Sequence, residues 1–276
     1  MRREPRELDA QEPPVRRVIA RFEPKTSGSA LWSRRMASFS LVLFVVSALG
    51  HRLGIVDTFN FLWVLLIVAL LAVAALLLVA ASFRRVWVRG DRGGGALVVA
   101  VLVSFLVLTP FAVTGIRFFL YPPLSDISTD LMSPPVLAVA AKTRHGHMNP
   151  VRPIGHEAAV RQVAAYPEIT GRRYNASPED VLNAVDHVIA GRGWKIVSHP
   201  ALIDGEREYT LEAVAKTFLL GFPSDVAIRL TDEGESTYVD MRSASRYGDG
   251  DFGDNASRIS KFLDALDTEM AGQANR

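Results

Sequence analysis

The chain has 276 residues, of which 49% are hydrophobic, 22% charged and 9% aromatic, with a formal net charge of +2 at pH 7. That near-neutral total excludes a uniformly basic nucleic-acid binder, although residues 1–116 carry 14 Lys+Arg against 7 Asp+Glu and residues 117–276 carry 17 against 22. The absence of cysteine excludes disulfides, thiolate metal sites, haem attachment and cysteine nucleophiles.

Residues 1–35 are rich in Arg, Glu and Pro and are expected to form a disordered cytoplasmic tail. Three membrane helices are expected next, over about 36–56, 59–83 and 94–116, since crossing a bilayer takes about 20 apolar residues. Thr58–Phe83 is an uncharged run of 26 and Gly93–Ile116 one of 24. Met36–Gly50 has only 15 and becomes long enough when Arg52 snorkels to the headgroups. Nine Lys+Arg precede Met36 and four lie between Arg84 and Arg92, whereas the short connection after Gly50 has Arg52 beside Asp57. Basic segments stay in the cytoplasm, so the N-terminus is expected inside and the residues after Ile116 outside. His51 and Arg52 are read as interfacial, with Asp57 as counter-charge, and Pro110 as a kink in the third helix.

Residues 118–276 are expected to form an extracytoplasmic α+β domain, an antiparallel sheet with helices packed across one face. Tyr121–Asp130 reads as a Pro-stiffened lead-in in which Asp126–Thr129 can pair as a strand. Lys142–Glu157 reads as a long loop, and Glu157–Ala165 as a short helix ended by Tyr166-Pro167. Ser177 caps a further helix, with Pro178 in its first turn and Val181, Leu182, Val185, Val188 and Ile189 on one face. Four strands follow at Trp194–Ser198, Glu208–Thr217, Ser224–Thr231 and Ser236–Ser243, the last two joined by a tight turn at Asp232–Glu235. A closing helix starts near Asp254 and presents Ile259, Phe262, Leu263, Leu266 and Met270 at helical spacing.

The densest run of unusual residues is Val239–Ala256. It resembles a bacterial and plant domain-of-unknown-function family, numbered fourteen-ninety-nine. The resemblance covers most of residues 121–267, including Asp126–Asp130, Pro134-Pro135, Tyr166-Pro167, Asp225–Arg229 and Asn255–Leu263. It implies no assigned activity and is compatible with membrane helices ahead of the domain. Pro223 stands where the family pattern leads one to expect a polar residue or an aromatic.

Within this run, strand alternation puts Asp240, Arg242 and Ala244 on one face and Met241, Ser243 and Ser245 on the other. Asp240, Arg242, Ser243, Ser245, Arg246, Asp251 and Asn255 form a candidate site for an anion or polar ligand, because Arg and Ser beside a helix N-terminus can hold phosphate or carboxylate. The same residues can equally serve as ion pairs and hydrogen bonds that fix the Gly-rich turn to the last helix. No metal or cofactor is expected: Asp249-x-Asp251 lacks the EF-hand Glu, His145, His147 and His156 lie in a loop that frames zinc poorly, and Gly93–Gly95 lacks the P-loop Lys. The expected function is a membrane-anchored binding or scaffolding module of a bacterial inner membrane. Its expected partners are the lipid bilayer and another envelope protein or an anionic ligand, with no nucleic acid. The alternative is an envelope lipid- or glycan-modifying hydrolase or transferase using Asp240, Ser243 or Asp251.

Overall fold

The computed structural model describes residues 27–89, 93–203 and 205–274. Residues 1–26 of the tail expected over 1–35 lie outside the described residues, as do residues 90–92 of the basic connection. Three long helices come first, α1 (Gly28–Arg52), α2 (Thr58–Arg89) and α3 (Gly94–Leu120), each long and apolar enough to cross a membrane. They overrun the apolar runs. The helix α1 begins at Gly28, inside the expected tail, and stops at Arg52 rather than Val56, while α2 continues through Arg84. Hydropathy marks the stretch suited to hydrocarbon, but Arg, Ala and Leu all favour helix and carry it past that stretch.

The bundle closes on small residues. Along α1 the buried face reads Ala30, Ser33, Ala37, Ser40 and Ser47, and it meets Ala75 of α2 and Ala96 and Ala100 of α3. In hydrocarbon no hydrophobic force separates helix from lipid, so close backbone approach over small side chains is what favours association. The serine hydroxyls stay on their own helix: Ser33, Ser40 and Ser47 donate to the carbonyls of Ala30, Ala37 and Phe44 at 2.9, 2.8 and 3.1 Å. Ala30, Val86 and Ala96 meet at one end, so Arg34, Arg35 and Arg84 gather there, and the C-terminal domain leaves from the other end.

The domain comprises β1 (Asp126–Ser128), α4 (Ala138–Thr143), α5 (His156–Ala165), β2 (Arg172–Tyr174), α6 (Pro178–Gly191), β3 (Lys195–Ser198), β4 (Glu208–Lys216), β5 (Pro223–Asp232), β6 (Thr237–Ser245) and α7 (Asp254–Ala274). The sheet is antiparallel with order β1-β6-β5-β4-β3. Strands β1 and β2 share one edge of β6, β1 opposite Arg242–Ala244 and β2 opposite Thr237–Val239. A register shift between Ile196 and Ser198 explains the impure alternation of β3. Pro223 is the first residue of β5, where a missing N–H costs the ladder little.

One face of the sheet forms the main core. Tyr209, Leu211, Val226, Ile228, Leu230, Val239 and Met241 pack beneath α6 and α7, which contribute Val181, Val185 and Ile189, and Ile259, Phe262, Leu263 and Leu266. Full burial stabilises by about 1.5–3 kcal/mol for each such side chain. Ser177 Oγ accepts from Asp180 N at 3.2 Å, capping α6 as its sequence signals. The opposite face is covered too: α4, inside a stretch without an obvious helical pattern, lays Leu137 and Ala140 on Ala227 and Ala244.

Candidate functional site

The alternation of β6 divides the sequence-selected residues between the two faces. On the face under α4, the Arg242 guanidinium grips Asp126 with two bonds (Nε–Oδ1 3.0 Å, Nη2–Oδ2 2.7 Å) and donates to the Arg152 carbonyl at 2.8 Å. Asp240 accepts from Arg229 at 2.8 Å and from the Thr129 hydroxyl at 2.7 Å. Arg229 also reaches Asp130 at 2.9 Å. Burial opposes ionisation of Asp130, but backbone N–H groups of Ser133 and Met132 together with Arg229 outweigh it and hold the carboxyl below the usual range. Just past the strand, Arg246 binds Asp225 at 2.6 Å, and the same carboxylate accepts from Arg144 Nε at 2.7 Å. Side chains of Arg144 and Asp225 are each only 4% exposed, while that of Arg246 is 20% exposed at the rim.

On the helix side, Asn255 is the hub. Its Oδ1 accepts from the Ser243 hydroxyl at 2.9 Å and from Arg258, while its Nδ2 donates to the Ser125 carbonyl at 2.9 Å and to Ser245 Oγ at 3.0 Å. Arg258 also donates to Ser243 Oγ at 2.9 Å. The serine proton therefore rests on an amide oxygen rather than on a base. Asp251 accepts from the backbone N–H of Gly253, at 3.0 Å, and of Asn255, capping α7. Burial nevertheless pushes the Asp251 carboxyl up, and burial pushes the Arg258 guanidinium down. These bonds tie the segment leaving α3 to β6 and to the start of α7, since Ser245 N also donates to Ser125 O at 2.8 Å and Asp251 N to Leu124 O at 3.0 Å.

The structure brings together a set of residues that the sequence reading had kept apart. Where α1 ends and α2 begins, His51 is buried; its Nδ1 lies 2.7 Å from the Leu220 carbonyl and its Nε2 2.9 Å from Thr58 Oγ1. Its ring stacks on Phe61 with centroids 4.4 Å apart, and Phe222 leans on both. Asp57 lies near enough to act on it electrostatically but directs its hydrogen bonds to Asn60, accepting from Asn60 N at 3.0 Å and capping α2. Arg52 donates to the Phe218 carbonyl, His147 stacks on Phe59 at 3.8 Å, and Arg117 pairs with Asp254 at 2.9 Å. The loop between β4 and β5 thus seats the domain on the bundle. Its signal in the sequence was Phe218-Leu219-Leu220-Gly221-Phe222, an apolar run where a hairpin turn is normally polar.

That seam encloses a cavity of about 620 Å³. Leu62, Phe118, Tyr121, Phe222 and Phe252 give it apolar walls, and Ser224, Ser245, Asp249 and Asp251 place polar groups on the domain side. Phe252 holds φ at +53°, the one non-glycine residue on the left-handed side among the described residues. Gly253 follows at φ +81°, and a Cβ there would lie 2.6 Å from the Tyr121 ring, so this turn admits only glycine beside the end of α3. Among the described residues no group of three His, Asp or Glu is placed to hold a metal ion.

An α+β domain clamped to one end of a three-helix bundle is the class that fold and seam define. The family model described as Protein of unknown function (DUF1499) matches residues 126–266, just over half the chain, and the chain belongs to that family. No curated protein matches it.

Proposed function

We propose that the chain is a membrane-anchored binding module, and that the space at its seam holds an apolar, lipid-like molecule drawn from the bilayer. The observation that carries this reading is the 620 Å³ cavity itself, largely apolar, with its few acidic and hydroxyl groups all on the domain side. Its volume falls in the range of about 300–1,000 Å³ common for small-molecule sites. The basic residues at the far end of the bundle favour that end as cytoplasmic, and this supports reading the domain and its cavity as facing the other side of the membrane. Binding is favoured over hydrolysis or group transfer because the Ser243 hydroxyl already bonds Asn255 and Arg258. Asp240, Arg242 and Arg246 act in this reading as supports of the sheet rather than as ligand contacts.

Native mass spectrometry of the full-length protein released from mild detergent tests the proposal. A co-purifying amphiphile is expected in fixed ratio, and Leu62→Trp, which fills the cavity from the helix side, should lower its occupancy several-fold. A bare wild-type chain would overturn ligand binding at the seam. A protein co-purifying in fixed ratio would move the reading to scaffolding.

A further inference from the structure

Across the β4–β5 loop from the seam lies a second and larger space, about 870 Å³, with a different character. Arg52, Lys195 and Lys216 line it beside Trp194, Val197 and Val214. Its one acid, Asp225, is already held by Arg144 and Arg246. Among the described residues none of the three cations is paired with a carboxylate. Instead Lys216 Nζ donates to the Arg52 carbonyl at 3.3 Å, tying it to the end of α1, and Arg52 donates to the Phe218 carbonyl in the loop. The cavity therefore gathers an excess of positive charge, its one carboxylate being shared already by two arginines, and it does so at Arg52, the last residue of a helix suited to cross a membrane.

The second observation is the apolar tip beside it. Phe218 is 90% exposed and Leu219 61% exposed at the turn of the β4–β5 loop. Leu53 and Ile55, in the connection between α1 and α2, are 73% and 78% exposed. Large apolar side chains clustered at a hairpin tip are unfavourable in water and mark a surface that meets something apolar. The loop is not loose: Thr217 N donates to Phe222 O at 3.0 Å, and Gly221 N to Thr217 O at 3.1 Å. Its tip is held out at the height where α1 ends.

From this pairing we infer an anionic-phospholipid site: the phosphate of one lipid sits among Arg52, Lys195 and Lys216, and its acyl chains run past Phe218 and Leu219. Free phosphate would satisfy the cations but leave the apolar tip unexplained, whereas a phospholipid uses both. The inference rests on the proposed insertion of the three helices but not on the seam ligand, because the two spaces share only Thr217 in their walls and the basic side chains line only the larger one. A cluster of basic side chains at the bilayer surface is the usual means of selecting anionic headgroups.

The test uses full-length protein in nanodiscs of phosphatidylcholine containing a minor fraction of phosphatidylglycerol, with retained lipid counted by native mass spectrometry. The wild type should keep phosphatidylglycerol in preference to phosphatidylcholine. Lys195→Gln with Lys216→Gln should weaken that retention by roughly fivefold per lysine. Lys195→Arg with Lys216→Arg should restore it. Both lysines are exposed, so the exchanges leave the core untouched. Phe218→Ser with Leu219→Ser should also lower retention, although every cation remains. Equal retention by the glutamine pair would overturn the inference, as would equal retention of the two lipids. Complete displacement by inorganic phosphate with no effect of the Phe218 and Leu219 exchanges would assign the space to a free anion and overturn the lipid reading.

Discussion

On one face of the sheet Ile228, Leu230 and Met241 lie beneath Phe262 and Leu263; on the other, Asp225, Arg229 and Arg242 lie beneath the chain that runs from Asp130 to Arg152. The first covering is non-directional and scales with apolar area. The second is a set of matched charges, each drawn from water and each dependent on a particular partner. The first tolerates neighbours of similar volume, whereas the second does not tolerate the loss of one partner alone. The difference teaches that Asp240, Arg242 and Arg246, whatever else they do, already serve as packing: on this face the polar residues hold the covering chain.

The comparison breaks most visibly at Asp225. Asp225→Ala leaves the guanidinium groups of Arg144 and Arg246 facing each other without a carboxylate, and should cost about 3–5 kcal/mol. Thermal unfolding of the detergent-solubilised full-length protein would read this as a large fall in midpoint. Replacing all three members together, Arg144→Met, Asp225→Leu and Arg246→Met, should cost much less than the single exchange, since no unpaired charge remains. On the apolar face Leu263→Ala should cost about 2–5 kcal/mol, in proportion to the hole left by a side chain that is 1% exposed. There the same measurement should find Leu263→Met close to wild type. Removing the cap of the covering helix, Ser177→Ala, should cost about 1 kcal/mol, read as a small shift in denaturant midpoint.

The smallest effects distinguish the faces by the sign of their pH dependence. Asp130 ionises more readily when folded than its ordinary value of 3.8, so its contribution is present above that value and is lost as pH falls through the lower folded value. Asp251 behaves in reverse. Its folded value is raised above 3.8, so the folded state holds the proton longer and the domain loses stability as pH rises through that interval. Unfolding midpoints followed across acidic pH should therefore show less acid loss in Asp130→Asn and no alkaline-going loss from this group in Asp251→Asn.

The apolar face was legible in the sequence because its information is local. Alternation in Ser224–Thr231, the Ser177-Pro178 start of α6 and the spacing of Ile259, Phe262, Leu263 and Leu266 each announce an element within a few residues. The three long helices were legible for the same reason, though not their ends, since Arg34 and Arg84 stop a hydrocarbon span without stopping a helix. Strand β2 was not legible: Arg172-Arg173-Tyr174 is three residues long and exists only because β6 offers Thr237–Val239 as a partner. Nor was α4, whose first turn is satisfied from elsewhere, by Glu212 accepting from Val139 N at 2.9 Å. The candidate residues were found as a group because they are adjacent in sequence, but what each does depends on a partner far along the chain. Asp126 for Arg242 and Leu220 for His51 are pairings of this kind. Alternation did separate Arg242 from Ser243 in advance; it could not say that both were already engaged.

The passage from α3 to β1 is only Tyr121–Ser125, and the Gly-rich turn grips it at Leu124 and Ser125. Even released, five residues reach at most about 17 Å; gripped, they allow no excursion. With the helices in a bilayer, such a domain does not search the surrounding fluid on a tether. It meets what diffuses laterally in its own leaflet, where encounters are two-dimensional and local abundance is set by membrane composition rather than by bulk concentration.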